Sequence, residues 1–139
     1  MTVLEIGVGG GYYARPLAAL VRSFIALDLQ AEMLKRLLHK AGEAHLLPVR
    51  ASAGELPLAT SSIDVVIAVT VIGELPSAPR AIDEIRRILR KGGMFSVSEH
   101  WPDPDFVPFA RMRELCHQGG LQFEALHGGR FNYTATFRA

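Results

Sequence analysis

The sequence predicts an α/β protein built on an open, mostly parallel sheet with helices on both faces. Three observations carry that expectation. Short apolar runs alternate with stretches of helical periodicity from Val3 to Gly119. One run, Ile63-Asp64-Val65-Val66-Ile67-Ala68, is almost unbroken and β-branched, as suits a central parallel strand covered on both sides. The end breaks the rhythm. Residues 121–126 and 132–138 are both strand-like and joined through Gly128-Gly129, which predicts an antiparallel hairpin.

Taken in order, Val3-Leu4-Glu5-Ile6 is a short buried strand that stops at Gly7. Gly7, Gly9, Gly10 and Gly11 follow, and then Ala14, Leu17, Ala18 and Val21 recur at helical spacing. Tyr12, Tyr13 and Arg15 open that helix, with Pro16 tolerated in its first turn. Strand, glycine turn and helix make the layout of a nucleotide-binding loop, in which the backbone comes close to a ligand near the helix's unpaired N–H groups. The same glycines could serve turn geometry alone. Glu5 bears on the choice. A carboxylate just ahead of the turn would repel phosphate but favour an ammonium or sulfonium group.

Residues 23–27 form a second buried strand ending at Asp28. An acid at that strand end, roughly 20 residues past the glycines, is placed to accept from ribose hydroxyls, and it can also cap the next helix. That helix spans residues 31–40, with Met33, Leu34, Leu37 and Leu38 inward and Gly42 at its end. A third strand covers residues 46–50, and the β-branched run above makes the fourth. Glu74, in the stretch that follows, reads as a solvated loop carboxylate. Pro79 starts a helix with Ile82, Ile85, Ile88 and Leu89 inward. Asp83 and Glu84 fall early in it and Arg86, Arg87, Arg90 and Lys91 late, an order that suits the helix dipole without a nucleic-acid partner. Gly92-Gly93 ends it, and residues 94–98 make the fifth strand.

Residues 99–106, Glu-His-Trp-Pro-Asp-Pro-Asp-Phe, read as a loop at the carboxyl edge of the sheet, where open parallel sheets bind ligands. His100, as a base near neutral pH, and Trp101, as a packing surface, are the candidates to meet a second substrate; the alternative is a backbone-satisfied histidine and a core tryptophan. Phe109, Met112, Leu115 and Cys116 form a last inner helix face, ended by Gly119-Gly120.

The 139 residues are of ordinary size for a single domain, 1–139, and are 49% apolar and 21% charged. A net charge of +1 gives no electrostatic case for nucleic acid or an anionic membrane. The longest apolar run, residues 65–72, is too short to span a bilayer, and a strand starting at residue 3 leaves no room for a signal peptide. One cysteine, Cys116, excludes an internal disulfide and a cysteine-based zinc site, and no metal is expected. The expected location is cytoplasmic.

Glu5-x-Gly7-x-Gly9-x-Gly11 resembles motif I of the class I S-adenosylmethionine-dependent methyltransferases. The likeness extends through the Leu56-Pro57 step, the Asp64-Val65-Val66 strand, the Leu89-Arg90-Lys91-Gly92-Gly93 turn and the closing hairpin. It implies a Rossmann-like sheet of seven strands in the order 3-2-1-4-5-7-6. It also implies S-adenosylmethionine as cofactor. Glu5, Gly7, Gly9 and Gly11 would hold its methionine end, Asp28 its ribose, and Leu29, Ser52 and Ala53 its adenine, with Val69 and Thr70 adding backbone contacts. Ser52 stands where the family usually has an acid, and a hydroxyl accepts more weakly. Within the family the chain looks most like the small-molecule branch related to ubiquinone and menaquinone biosynthesis, which implies a small-molecule methyl acceptor. Nothing matches the Asn-Pro-Pro-Tyr type motif that goes with exocyclic or amide nitrogens.

Family members usually carry one or two helices ahead of the first strand. Without them, the site is expected to be open, shortened or completed by another chain, for which a second copy is one candidate. Two other functions follow from the same residues. A non-catalytic relative would bind the cofactor or a partner. A nicotinamide-dependent oxidoreductase would use Gly9-x-Gly11-x-x-Ala14 with Asp28, but leaves Glu5 and the terminal hairpin without a purpose.

Overall fold

A computed structural model describes residues 1–42 and 45–139. Its elements are β1 (Thr2–Ile6), α1 (Ala14–Ala18), β2 (Ser23–Asp28), α2 (Ala31–Ala41), β3 (Leu46–Arg50), β4 (Ile63–Val69), a 3-10 turn (Ile72–Glu74), α3 (Ala78–Ile88), β5 (Leu89–His100), α4 (Phe109–Gln118), β6 (Gln122–Gly129) and β7 (Asn132–Arg138). They form one sheet in the order β3-β2-β1-β4-β5-β7-β6. The first five strands are parallel, and β7 runs antiparallel to both neighbours. This is the predicted architecture, hairpin included.

Successive strand residues point to opposite faces, and both faces are covered. Val3, Phe24 and Ala26 pack with Ala14, Ala18, Leu34 and Leu37 from α1 and α2. Leu4, Ile6, Ile25, Leu27, Val66 and Val97 pack on the other side with α3 and α4. Burial on both faces is why the central strands read as apolar runs rather than as alternation. In α3, Ala81, Ile82, Ile85 and Ile88 are wholly buried, and Ser77 caps the helix by accepting from the Arg80 N–H. Two of the four late basic residues have intramolecular work. Arg87 pairs with Glu84 and donates to the Leu56 and Leu58 carbonyls, and Arg90 pairs with Asp64.

Five local expectations are corrected. Helix α1 stops at Ala18, short of Val21, because the chain tightens into an i→i+3 turn, with Leu20 N–H donating to Leu17 O. Leu38 faces solvent, since α2 lies on the sheet through Leu34 and Leu37. Helix α3 ends at Ile88, and Leu89 opens β5 by pairing with Ile63. The paired glycines therefore lie within β5; a Cβ at Gly93 would stand 2.9 Å from Arg90 O, so the strand passes only without one. Glu99 and His100 belong to β5, because β7 pairs with them through Tyr133 and Asn132. Strand β6 runs on through Gly128-Gly129, and the hairpin turns at Arg130-Phe131.

Candidate functional site

Parallel register brings the carboxyl ends of β1, β2 and β4 together: Ile6 lies beside Leu27 on one side and Ala68 on the other. The chain leaves the sheet from each of these ends, so a crevice opens there. A cavity of about 480 Å³ occupies it, lined by Gly7, Gly9, Asp28, Leu29, Ser52 and Ala53 among others. That volume falls in the range of small-molecule sites.

The glycines divide the work. Gly7 has φ +71°, and a Cβ there would stand 2.5 Å from Val71 Cγ2, so Gly7 lets the β1 and β4 loops touch. Gly11 has φ +80°, and its Cβ would run into Leu37 of α2. Gly9 differs. Its φ is +51°, and no atom of the described residues lies within 4 Å of the place a Cβ would take. It faces the cavity, so its lack of a side chain leaves room for a ligand rather than for protein.

Asp28 ties this loop to β2. Its carboxylate accepts from the Gly9 N–H at 3.1 Å and from the Gln30 N–H at 2.9 Å. Each oxygen keeps a further lone pair for a ligand hydroxyl. Leu29, 64% exposed, and Met33 add apolar wall. Ser52 Oγ accepts from the Gly54 N–H at 3.2 Å, which uses part of its acceptor capacity. Glu5 lies behind the loop rather than in the cavity lining. It is buried, Oε2 has no hydrogen-bond partner among the described residues, and burial pushes its pKa up to about 7. A cation brought near it would find an uncompensated acceptor.

The Methyltransferase domain family model matches residues 4–97, from the first strand into β5. The chain belongs to this family. It is 31% identical over 113 residues to sterol methyltransferase-like 1 of Botryococcus braunii, spanning 78% of this chain and 29% of that protein. It is 33% identical over 103 residues to the phosphatidylethanolamine N-methyltransferase of Cereibacter sphaeroides, spanning 71% and 50%. The chain thus matches half or less of the length of these relatives. An S-adenosylmethionine-dependent methyltransferase from Aquifex aeolicus shares the fold, with a TM-score of 0.88 at 17% identity over 99% of this chain and 81% of that one. S-adenosylmethionine is accordingly the cofactor of this methyltransferase family, and the site's chemistry suits it. An unpartnered buried carboxylate, an open glycine and a strand-end aspartate match a cationic methionine end, close backbone approach and a ribose.

Of the residues singled out in the sequence, the cavity gathers Gly7, Gly9, Asp28, Leu29, Ser52 and Ala53. Gly11 is outside the lining, against Leu37. Val69 ends β4 and Thr70 follows it, next to the lining residue Val71. Thr70 has φ +51°, a left-handed conformation strained for a β-branched residue, and is held by its N–H donating to Ser98 O. His100 is outside the cavity lining, where its Nδ1 meets Asn132 Oδ1 across the β5–β7 pair. Trp101 is 60% exposed, edge-on to Phe106.

Sequence reasoning undervalues two carboxylates. Glu74 is exposed as expected, yet it lines the cavity beside Leu75 and Pro76. Its pKa is raised by desolvation and by the charges of Asp103, Asp105 and Asp28. Glu99, read as a loop residue, is a buried strand residue. Oε2 accepts weakly from the Val107 N–H at 3.5 Å, Oε1 has no partner among the described residues, and burial raises its pKa to about 7. Position at the carboxyl edge of β4 and β5 was the only signal for either.

Proposed function

We propose that residues 1–139 form one S-adenosylmethionine-binding domain of a methyltransferase that acts on a small molecule. The observation carrying this is the cavity at the β1–β2–β4 edge, where open Gly9, Asp28 and Ser52-Ala53 converge in front of the unpartnered Glu5 carboxylate. The bound cofactor supplies a methyl group made electrophilic by its sulfonium. Asp28 holds ribose hydroxyls while keeping the Gly9 and Gln30 N–H groups in place. Leu29 and Ala53 pack on adenine. Glu5 offsets positive charge at the methionine end, and the turn at Gly7 and Gly9 brings the backbone within reach. Catalysis of such a displacement rests on orientation, so no protein nucleophile is needed.

Ser52 supports a second reading. Its hydroxyl already accepts from Gly54, so it accepts weakly from adenine, which fits a relative that binds without turning over. Calorimetric titration of wild type and Asp28→Ala with S-adenosylmethionine, S-adenosylhomocysteine and, as a control, a nicotinamide dinucleotide tests both. Micromolar binding of the two methionine-derived ligands that is lost in Asp28→Ala supports the proposal. Preference for the dinucleotide, or no binding, refutes it. Binding with no turnover across an acceptor screen favours the second reading.

A further inference from the structure

Beside the cofactor cavity the structure concentrates negative charge that no described residue neutralises. Glu74 lines the cavity, and its carboxyl feels Asp103, Asp105 and Asp28. The loop bearing Asp103 and Asp105 is locked against it. A Cβ at Gly73 would overlap Asp105 O, the Asp105 N–H donates to Asp103 Oδ1 at 2.8 Å, and Phe106 N–H donates to Asp103 O. Beneath that loop lies Glu99, 1% exposed and feeling the charges of Asp103, Asp105 and Glu74, with Oε1 unpartnered. Among the described residues, none of Glu74, Glu99, Asp103 and Asp105 has a lysine, arginine or histidine within ion-pairing distance. Asp64, Glu84, Glu114 and Glu124 all do. Arg130 lies over Phe131 instead.

Four mutually repelling carboxyls in a protein of net charge +1 are costly to hold together, and a buried unpartnered oxygen adds to that cost. A cation would relieve it. The cluster supplies no close metal-ligand set among the described residues. The loop that carries Asp103 and Asp105 also carries an exposed indole, Trp101, whose face can take a diffuse organic cation.

We infer, on the methyltransferase reading above, that the methyl acceptor is an aliphatic amine, admitted as its ammonium ion between the Glu74–Asp103–Asp105 carboxylates and Trp101. Glu74 takes the ammonium proton. The freed nitrogen lone pair then forms the new C–N bond as the methyl's bond to sulfur breaks, with that electron pair staying on sulfur. The products are the methylated ammonium and S-adenosylhomocysteine, so charge and atoms balance. The raised pKa of Glu74 suits the proton transfer. Glu99 adds negative charge from below.

The test is calorimetric titration in the presence of saturating S-adenosylhomocysteine. It compares choline, a product-like quaternary ammonium, with its neutral isostere 3,3-dimethylbutan-1-ol. Choline should bind at least tenfold more tightly, and Asp103→Asn/Asp105→Asn should abolish the preference while S-adenosylhomocysteine affinity stays within twofold. The side-chain amide oxygen introduced by Asp103→Asn can still accept from the backbone N–H two residues on, and Glu74→Gln provides an independent variant if the double one fails to fold. Equal binding of the two probes, or a preference that survives these variants, overturns the inference. If S-adenosylhomocysteine itself does not bind, the methyltransferase reading falls, and the inference with it; if it binds and choline shows no advantage, only the inference falls.

Discussion

Gly9 and Gly11 lie two residues apart with positive φ, yet they should respond to alanine in opposite ways. In Gly11→Ala the new methyl meets Leu37, which is fully buried and cannot swing into solvent. The left-handed backbone costs about 1–2 kcal/mol for an L-residue, and overpacking a filled site adds about 1–3 kcal/mol. The sum, about 2–5 kcal/mol, is a large share of the stability of a domain this size. Gly9→Ala carries only the backbone part, about 1–2 kcal/mol, because nothing stands where its methyl would go. That methyl does enter the cavity, however, on the residue whose N–H donates to Asp28. Its cost should appear in ligand affinity, with Kd for S-adenosylhomocysteine raised tenfold or more, about 1.4 kcal/mol. Urea denaturation and calorimetric titration of both variants measure the two quantities. Equal destabilisation by the two alanines would refute the packing argument. Unchanged affinity in Gly9→Ala would refute the assignment of Gly9 to the ligand.

Glu5 and Glu99 are both raised by burial from 4.5 to about 7, so the folded state holds more protons than the unfolded one between those values. Their contribution is complete below pH 4.5 and is lost as pH rises through about 7, by up to about 3 kcal/mol each. Asp64 and Glu84, shifted downward, are ionised in both states across that window and do not mask the trend. Urea midpoints should therefore fall between about pH 5 and pH 8, and Glu5→Gln/Glu99→Gln should flatten them. Thr70→Gly relieves a left-handed threonine at the expense of backbone entropy, and a net gain of about 0.5–1 kcal/mol is expected in the same assay. His100→Ala should leave S-adenosylhomocysteine affinity within about twofold and lower stability by about 1 kcal/mol, because its ring partner is Asn132. A large loss of affinity in titration would refute this and place His100 at the cofactor.

The sheet was legible because its determinants are local. Apolar runs of strand length, glycine breaks and the switch to alternation at Tyr133, Ala135 and Phe137 each follow from a few neighbouring residues. The half of the cavity lined by Gly7, Gly9 and Asp28 was legible for the same reason: a strand, a turn and the next strand end lie within one stretch of chain. The boundaries that failed depended on distant partners. Leu89 looks helical until Ile63 is there to pair with it, and His100 looks like loop until Asn132 lies opposite.

By itself, then, the sequence determined the strand and helix order, the closing hairpin and the glycine loop with its acids, because period, backbone freedom and charge are properties of short segments. Tertiary structure alone decided which glycine faces protein and which faces the cavity. It likewise decided that Glu99 is buried with one oxygen unpartnered among the described residues, and that Glu74 from the turn after β4 lies near Asp103 and Asp105 from beyond β5. Those facts are distances between residues far apart in the chain, and only the packed sheet sets them.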